Sequence, residues 1–254
     1  MNYLNGLKLW STNENYVSSA LNLYQKNLFD YIELYIKPNS LDKYIKLWVD
    51  IKIPFIIHAP HYGDNLNFSI PESFENNKKM ANESIEFANK LNAKYIIFHP
   101  GVNGEIEETI AQINKISEKR IIIENKPYLG LKNEKCLGHS PEDIKLIQQE
   151  TNAGFCLDIG HAICSANSKM VDPIEYIEKF IDLNPSMYHL TDGNYKSQYD
   201  SHLHFGEGDY PIKKILKLIK NDSTITNEAK KNSSENLDDF KKDMEYLKKI
   251  DKFS

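Results

Sequence analysis

Gly154-Phe155-Cys156-Leu157-Asp158-Ile159-Gly160-His161 is the stretch whose reading decides the fold. A short apolar run, of the kind buried on both faces of a parallel sheet, ends abruptly in an aspartate, and a histidine follows three residues later. That pattern describes a buried strand delivering a carboxylate and an imidazole, through one turn of chain, to its own C-terminal end. Other apolar runs on either side end in the same way. Pro54 to His58, Tyr95 to His99 and Ile121 to Glu124 precede it. Met187 to Leu190, which carries His189, and a weaker run from Ser223 to Thr226, with Glu228 just beyond, follow it.

Two earlier runs, Gly6 to Trp10 and Tyr31 to Ile36, complete the set of strands. Between them lie stretches with helical spacing: Val17 to Lys26, Leu41 to Val49, a long one opened by Pro71, Ile106 to Ile116, Ile144 to Gln149, Pro173 to Leu183, Ile212 to Ile219 and Leu237 to Ile250. Ser140-Pro141-Glu142-Asp143 reads as an N-cap with proline at the first helical position. Strand and helix alternate eight times without a linker or a shift in composition. Such repetition predicts a parallel sheet, and eight units in 254 residues match one (β/α)8 TIM barrel spanning residues 1–254. The alternative is an open doubly wound sheet. A Gly-rich first turn for a dinucleotide would mark it, and none follows Trp10.

Hydrophobic content of 41% and charged content of 26% exclude a disordered chain. No apolar run approaches a membrane span, and the first residues lack the pattern of a signal peptide. Three cysteines, with no C-x-x-C, fit a reducing cytoplasm. The net charge of −5 argues against a generally basic nucleic-acid-binding surface, although carboxylates that ligate cations contribute to that charge. The abundance of Asn, Lys and Ile reads as a feature of base composition.

In a barrel of this kind the active site lies at the C-terminal ends of the strands. His58, His99, Glu124, Asp158, His189 and Glu228 all fall there in sequence order, His161 lies in the turn after Asp158, and His202 and His204 share one later loop. Imidazoles and carboxylates together are ligands for Zn²⁺ or Mn²⁺-like cations. Without a cation, three carboxylates at one mouth would repel each other and be poorly solvated. No Ser-His-Asp or Cys-His arrangement competes with this reading, and Cys156 and Cys164 read as packing residues.

These residues resemble endonuclease IV, the family-2 apurinic/apyrimidinic endonucleases within the xylose isomerase-like barrels. The resemblance rests on His58-Ala59-Pro60-His61, Phe98-His99-Pro100-Gly101, Ile123-Glu124-Asn125, Cys156 to His161, His189-Leu190-Thr191-Asp192 and Asp200 to Gly208, taken in order. It implies up to three zinc ions. His58, His99 and Glu124 would hold one. Glu124 would bridge to a second, shared with Asp158, His189 and Glu228, and His161, Asp200 and His202 would hold the third. It also implies that Glu124, Asp158 and Glu228 carry the catalysis. His61, Lys126, His204 and Glu207 are the candidate substrate contacts. Isomerase and epimerase relatives need one ion, Mn²⁺ or Mg²⁺, at the positions of Glu124, Asp158, His189 and Glu228.

The chain departs from the nuclease pattern where DNA would be read. His61 stands where the family has a tyrosine, Ile159-Gly160 replaces Thr-Cys, and Ser201 replaces an arginine between the ligands Asp200 and His202. Tyr31-Ile32-Glu33-Leu34-Tyr35 is closer to the isomerase relatives. Two functions are therefore carried forward. One is a zinc-dependent phosphoester hydrolase acting on abasic DNA or a phosphorylated sugar. The other is a single-metal sugar or sugar-phosphate isomerase or epimerase. A metal-binding barrel without catalysis is the third and weakest reading.

Overall fold

The computed structural model describes residues 3–252. Among them, eight strands run parallel in chain order and close into a barrel, with the eighth pairing back onto the first. The strands are β1 Leu4–Trp10, β2 Tyr31–Tyr35, β3 Phe55–His58, β4 Ile96–Phe98, β5 Ile121–Glu124, β6 Gly154–Asp158, β7 Met187–Leu190 and β8 Thr224–Asn227. The helices are α1 Val17–Gln25, α2 Leu41–Asp50, α3 Phe74–Lys90, α4 Ile106–Ile116, α5 Pro141–Thr151, α6 Ile159–Lys169, α7 Pro173–Ile181, α8 Ile212–Leu218 and α9 Asp238–Lys252. None of these helices is long and apolar enough to cross a membrane.

Period-two alternation explains why each strand is apolar throughout yet sorts into two cores. One set faces the helices: Leu7, Leu9, Ile32, Leu34, Ile57, Phe98, Ile123, Phe155 and Leu157 join the large buried cluster that also holds Trp48, Phe87 and Phe180. The other set faces the barrel axis, where Tyr31, Ile56, Ile97, Ile122, Cys156 and Met187 form a small separate apolar plug. The plug fills the barrel from below. Whatever stands two residues further along each strand faces the mouth.

Local signals set the boundaries. The Ser140 hydroxyl accepts from the Asp143 amide at 3.1 Å, and Pro141 opens α5 as expected. Asp172 caps α7 by accepting from the Ile174 and Glu175 amides. Asparagines take many of the left-handed positions, among them Asn27, Asn92, Asn152 and Asn184. The chain's asparagine content therefore has a structural use, since asparagine enters that region more readily than most residues.

The expectation of a plain turn after Asp158 is corrected. Ile159–Lys169 is a helix, so two helices rather than one link β6 to β7. Ile159 through Ala166 are all buried. A helix buried on every side carries no amphipathic stripe to read.

Candidate metal centre

Each strand's inward-facing row carries a polar side chain two residues beyond the plug layer. Lys8 follows Gly6, Glu33 follows Tyr31, His58 follows Ile56 and His99 follows Ile97. Glu124 follows Ile122, Asp158 follows Cys156, His189 follows Met187 and Glu228 follows Thr226. All eight strands thus feed one mouth. The sequence reading found six of these residues. It assigned Lys8 no role and noted Glu33 only as part of a motif, although period-two counting along β1 and β2 singles both out.

Glu124 sits at the centre, almost fully buried. Its Oε2 faces His58 Nε2 at 3.1 Å, His99 Nε2 at 3.2 Å and His189 Nδ1 at 3.3 Å. Its Oε1 faces His161 Nδ1 and the Lys126 ammonium, each at 3.1 Å. On the far side, His189 Nδ1 lies 2.9 Å from Glu228 Oε1 and 3.8 Å from Asp158 Oδ2. A second group stands beside the first. Asp200 Oδ2 is 2.6 Å from His202 Nε2 and 3.5 Å from His161 Nε2, and His202 holds a left-handed backbone at φ 49°. The loop between β7 and α8 places Asp200 and His202 there. Asp158 ties the two groups together: its Oδ1 accepts from the His161 amide at 2.7 Å, capping α6 and fixing where His161 enters.

Ring hydrogen bonds set which nitrogens face inward. His58 Nδ1 lies 2.7 Å from the Ala59 carbonyl and His189 Nε2 lies 2.9 Å from Glu33 Oε2. That leaves His58 Nε2 and His189 Nδ1 turned inward, and although burial opposes it, Cys156, Glu228, Glu33 and Glu124 raise the His189 imidazole well above its ordinary value. Both nitrogens point at carboxylate oxygens. Carboxylates crowded at one buried mouth repel each other unless positive charge lies between them. Burial, with neighbouring Asp200, Glu124 and Glu228, pushes the Asp158 carboxyl above its usual range. Although burial opposes it, Asp158, Asp200 and Glu124 hold the His161 imidazole up at about 10. The cluster thus gathers positive charge in the form of protons, and its donor set fits divalent ions. Among the described residues, five groups of three such residues have ligand atoms within 4.8 Å of one another, including His58–His99–Glu124, Glu124–His189–Glu228 and His161–Asp200–His202. All nine ligands expected from the sequence meet at this mouth.

Second-layer contacts hold the ligands. Glu33 is fully buried and also accepts from the Thr226 hydroxyl at 2.7 Å. The Lys8 ammonium lies 3.2 Å from Glu33 and also binds Glu228. Burial alone would lower that ammonium, but Glu228, Glu33 and Glu124 raise it above its ordinary value. Asn125 bonds the Asp158 main chain at both its amide and carbonyl, clamping β5 to β6.

The mouth opens into a cavity of about 710 Å³. Of the expected substrate contacts, His61 and Lys126 line it. His61 stacks on His99 with centroids 5.5 Å apart, and burial beside Lys126 lowers it to about 3. His204 and Glu207 are placed elsewhere. His204 Nδ1 pairs with Asp243 Oδ2 on α9 at 2.9 Å, and Glu207 is exposed in the loop. Neither lines the cavity, because the left-handed turn at His202 carries the chain away from the mouth. Cys136, Cys156 and Cys164 are free and buried, consistent with packing roles.

Such a donor cluster stands at the C-terminal mouth of a parallel barrel, the end where TIM barrels carry their active sites. The chain belongs to the xylose isomerase-like TIM barrel family, whose model matches residues 22–250, and it is a divergent member. It is 24% identical over 250 residues to an uncharacterized protein of Methanocaldococcus jannaschii, covering 92% of this chain and 93% of that one. A probable endonuclease 4 of Halothermothrix orenii is 26% identical over 190 residues, which is 65% of this chain and 66% of that protein. Among solved structures, a D-tagatose 3-epimerase-like protein superposes with a TM-score of 0.73 at 23% identity, covering 97% of both chains. Endonuclease IV from Thermus thermophilus superposes at 0.71 and 16% identity, covering 98% of this chain and 99% of that one. At these identities the superpositions establish the fold alone.

Proposed function

We propose that this protein is a zinc-dependent phosphoester hydrolase working at the C-terminal mouth of the barrel, on abasic-site DNA or a smaller sugar phosphate. The observation that carries this reading is the His161–Asp200–His202 group standing against the Glu124 cluster. Moving a proton or hydride between sugar carbons needs one Lewis-acidic ion and a base, and a further ligand group would be surplus to it. His58, His99 and Glu124 would hold one ion, Glu124, Asp158, His189 and Glu228 a second, and His161, Asp200 and His202 a third. Bound there, divalent ions supply positive charge that polarises phosphoryl oxygens and acidifies water.

The chain's own groups do the remaining work. Glu124 divides its two oxygens between the two sides of the site, so one carboxylate keeps both in register. Asp158 is raised where Glu124, Asp200 and Glu228 are lowered, so of these four carboxylates it takes up a proton most readily. Glu228 is held by Lys8 and His189 through Oε1, and its Oε2 turns toward His202. Lys126 and His61 offer a donor and a neutral imidazole at the wall, where substrate oxygens would lie.

One observation favours the isomerase or epimerase reading. The Lys126 ammonium lies 3.1 Å from Glu124 Oε1, 3.5 Å from His99 Nε2 and 3.3 Å from His161 Nε2. It therefore competes with a cation for His99, His161 and Glu124 Oε1, leaving Glu124 Oε2, Asp158, His189 and Glu228 for one Mn²⁺ or Mg²⁺. Metal analysis separates the readings. Hydrolysis expects more than one zinc ion per chain, with a loss when His161, Asp200 and His202 are replaced together by alanine. A single ion indifferent to that change would sink it. Incision of a duplex carrying an abasic site then distinguishes DNA from a small substrate.

A further inference from the structure

The wall of the mouth built by β1 and the loop after β8 carries positive charge that the ligand cluster does not use. Lys230 and Lys231 come directly after Glu228 and Ala229 and line the cavity. The Lys230 amide donates to the His202 carbonyl at 3.2 Å, which fixes this loop against the one that supplies Asp200 and His202. Among the described residues, neither lysine has a carboxylate within 4 Å. Lys231 Nζ donates to the Ala229 carbonyl at 2.9 Å, and burial lowers it from its ordinary value against the longer-range pull of Asp239 and Asp243. Two lysine side chains without a close ion-pair partner, at the mouth that gathers buried carboxylates in a chain of net charge −5, give this wall room for an anion. Trp10, 52% exposed, stands on the same wall and presents a flat apolar face.

We propose that this wall is a subsite for a terminal phosphate of a small phosphorylated sugar, a phosphate other than any that reacts. Lys230 and Lys231 donate to its oxygens, and the Trp10 ring packs on the sugar carbons. Lysine ammoniums act as point charges and suit a terminal phosphate. The chain's only arginine, Arg120, is engaged with Glu118 and supplies no planar fork here. Two adjacent ammoniums meet one phosphate, whereas a duplex presents a track of them and needs several spaced contacts. This inference rests on the preceding reading only in placing a phosphorylated substrate in this mouth.

Isothermal titration of the metal-loaded protein with ribose 5-phosphate and with ribose tests it. Wild-type protein is expected to prefer ribose 5-phosphate, with the preference weakening as salt is raised. The double variant Lys230→Met, Lys231→Met is expected to bind ribose 5-phosphate at least about tenfold more weakly, with ribose binding and metal content unchanged. Equal affinity in the variant overturns the proposal, and so does a wild-type protein that does not distinguish the two sugars. Loss of affinity for an abasic duplex, without any preference for ribose 5-phosphate, overturns it too and assigns these lysines to nucleic acid instead. Failure of the hydrolase reading looks different: no phosphate is released from any ester while the lysine-dependent binding persists.

Discussion

Replacing Glu33 by glutamine tests whether the centre depends on a residue outside the nine expected ligands. Glu33 is fully buried and has three partners: the His189 Nε2 proton at 2.9 Å, the Thr226 hydroxyl at 2.7 Å and the Lys8 ammonium at 3.2 Å. All three are donors, so the site needs an acceptor on both oxygens. Glutamine keeps the shape but supplies one acceptor and one donor group. If its oxygen stays with His189 and Thr226, its amide protons meet the Lys8 ammonium. If it flips, they meet His189 and Thr226. Either way at least one charge-assisted hydrogen bond, worth about 1.5–3 kcal/mol, is lost or reversed. The same disturbance reaches His189, whose other nitrogen faces Glu228, Glu124 and Asp158. Loss of an outer partner of a ligating histidine typically costs about 10–100-fold in metal affinity. Competition for zinc against a chromophoric chelator should therefore show at least about tenfold weaker binding in Glu33→Gln, with the far-ultraviolet circular dichroism of the wild type. A folded variant that binds zinc as tightly as the wild type would refute this chain of reasoning.

Glu124→Gln should abolish turnover with the fold intact, because both sides of the centre lean on its two charged oxygens; near-normal turnover would contradict its bridging role. Ser140→Ala should lower stability to denaturant by about 1 kcal/mol through loss of the α5 cap. Phe98→Ala, which empties a fully buried position between β4 and the helices, should cost about 3–5 kcal/mol in the same measurement. His61 gives a pH signature in metal-free protein. Its imidazole titrates near 3 in the fold against an ordinary 6.5, so the unfolded chain binds more protons between those values. Its contribution to stability is full above 6.5 and falls as pH drops toward 3. The denaturation midpoint of His61→Gln should therefore decline less steeply over that window than that of the wild type.

The barrel was legible because parallel strands buried on both faces read as continuous apolar runs, and because eight of them alternate with helical spacing. The residues gathered at the mouth were legible because His58, His99, Glu124 and Asp158 close such runs. What escaped notice follows from the same physics. Lys8 and Glu33 stand inside β1 and β2 rather than at the last residue, where the chain continues past them to Trp10 and Tyr35. A search for polar strand ends passes over them, whereas counting every second residue from the plug does not. Helix α6 was unreadable because its buried small residues, such as Ala162, Ser165 and Ala166, present no polar face. His204 looked like a mouth residue because it lies two positions from His202. Nothing in the sequence announces that the backbone turns left-handed at His202.

The stretch from Gly154 to His161 concentrates the design. Asp158 Oδ1 closes the first turn of α6, and Asp158 Oδ2 reaches toward His189 and His161 Nδ1. One carboxylate is thus both helix cap and cluster member. The N-terminus of a buried helix is a favourable place for negative charge, and this offsets part of the crowding by Asp200, Glu124 and Glu228 that raises the Asp158 carboxyl. The two roles can be separated by substitution. In Asp158→Asn the amide oxygen can still accept from the His161 amide, so α6 should keep its start and His161 its position, while the anionic contribution to the centre disappears. In Asp158→Ala both are lost, at an added cost of about 0.5–2 kcal/mol for the missing cap. Zinc affinity should therefore fall in both variants and stability to denaturant chiefly in the second. If Asn and Ala were equally destabilising, capping by Asp158 would not be what holds His161 in place.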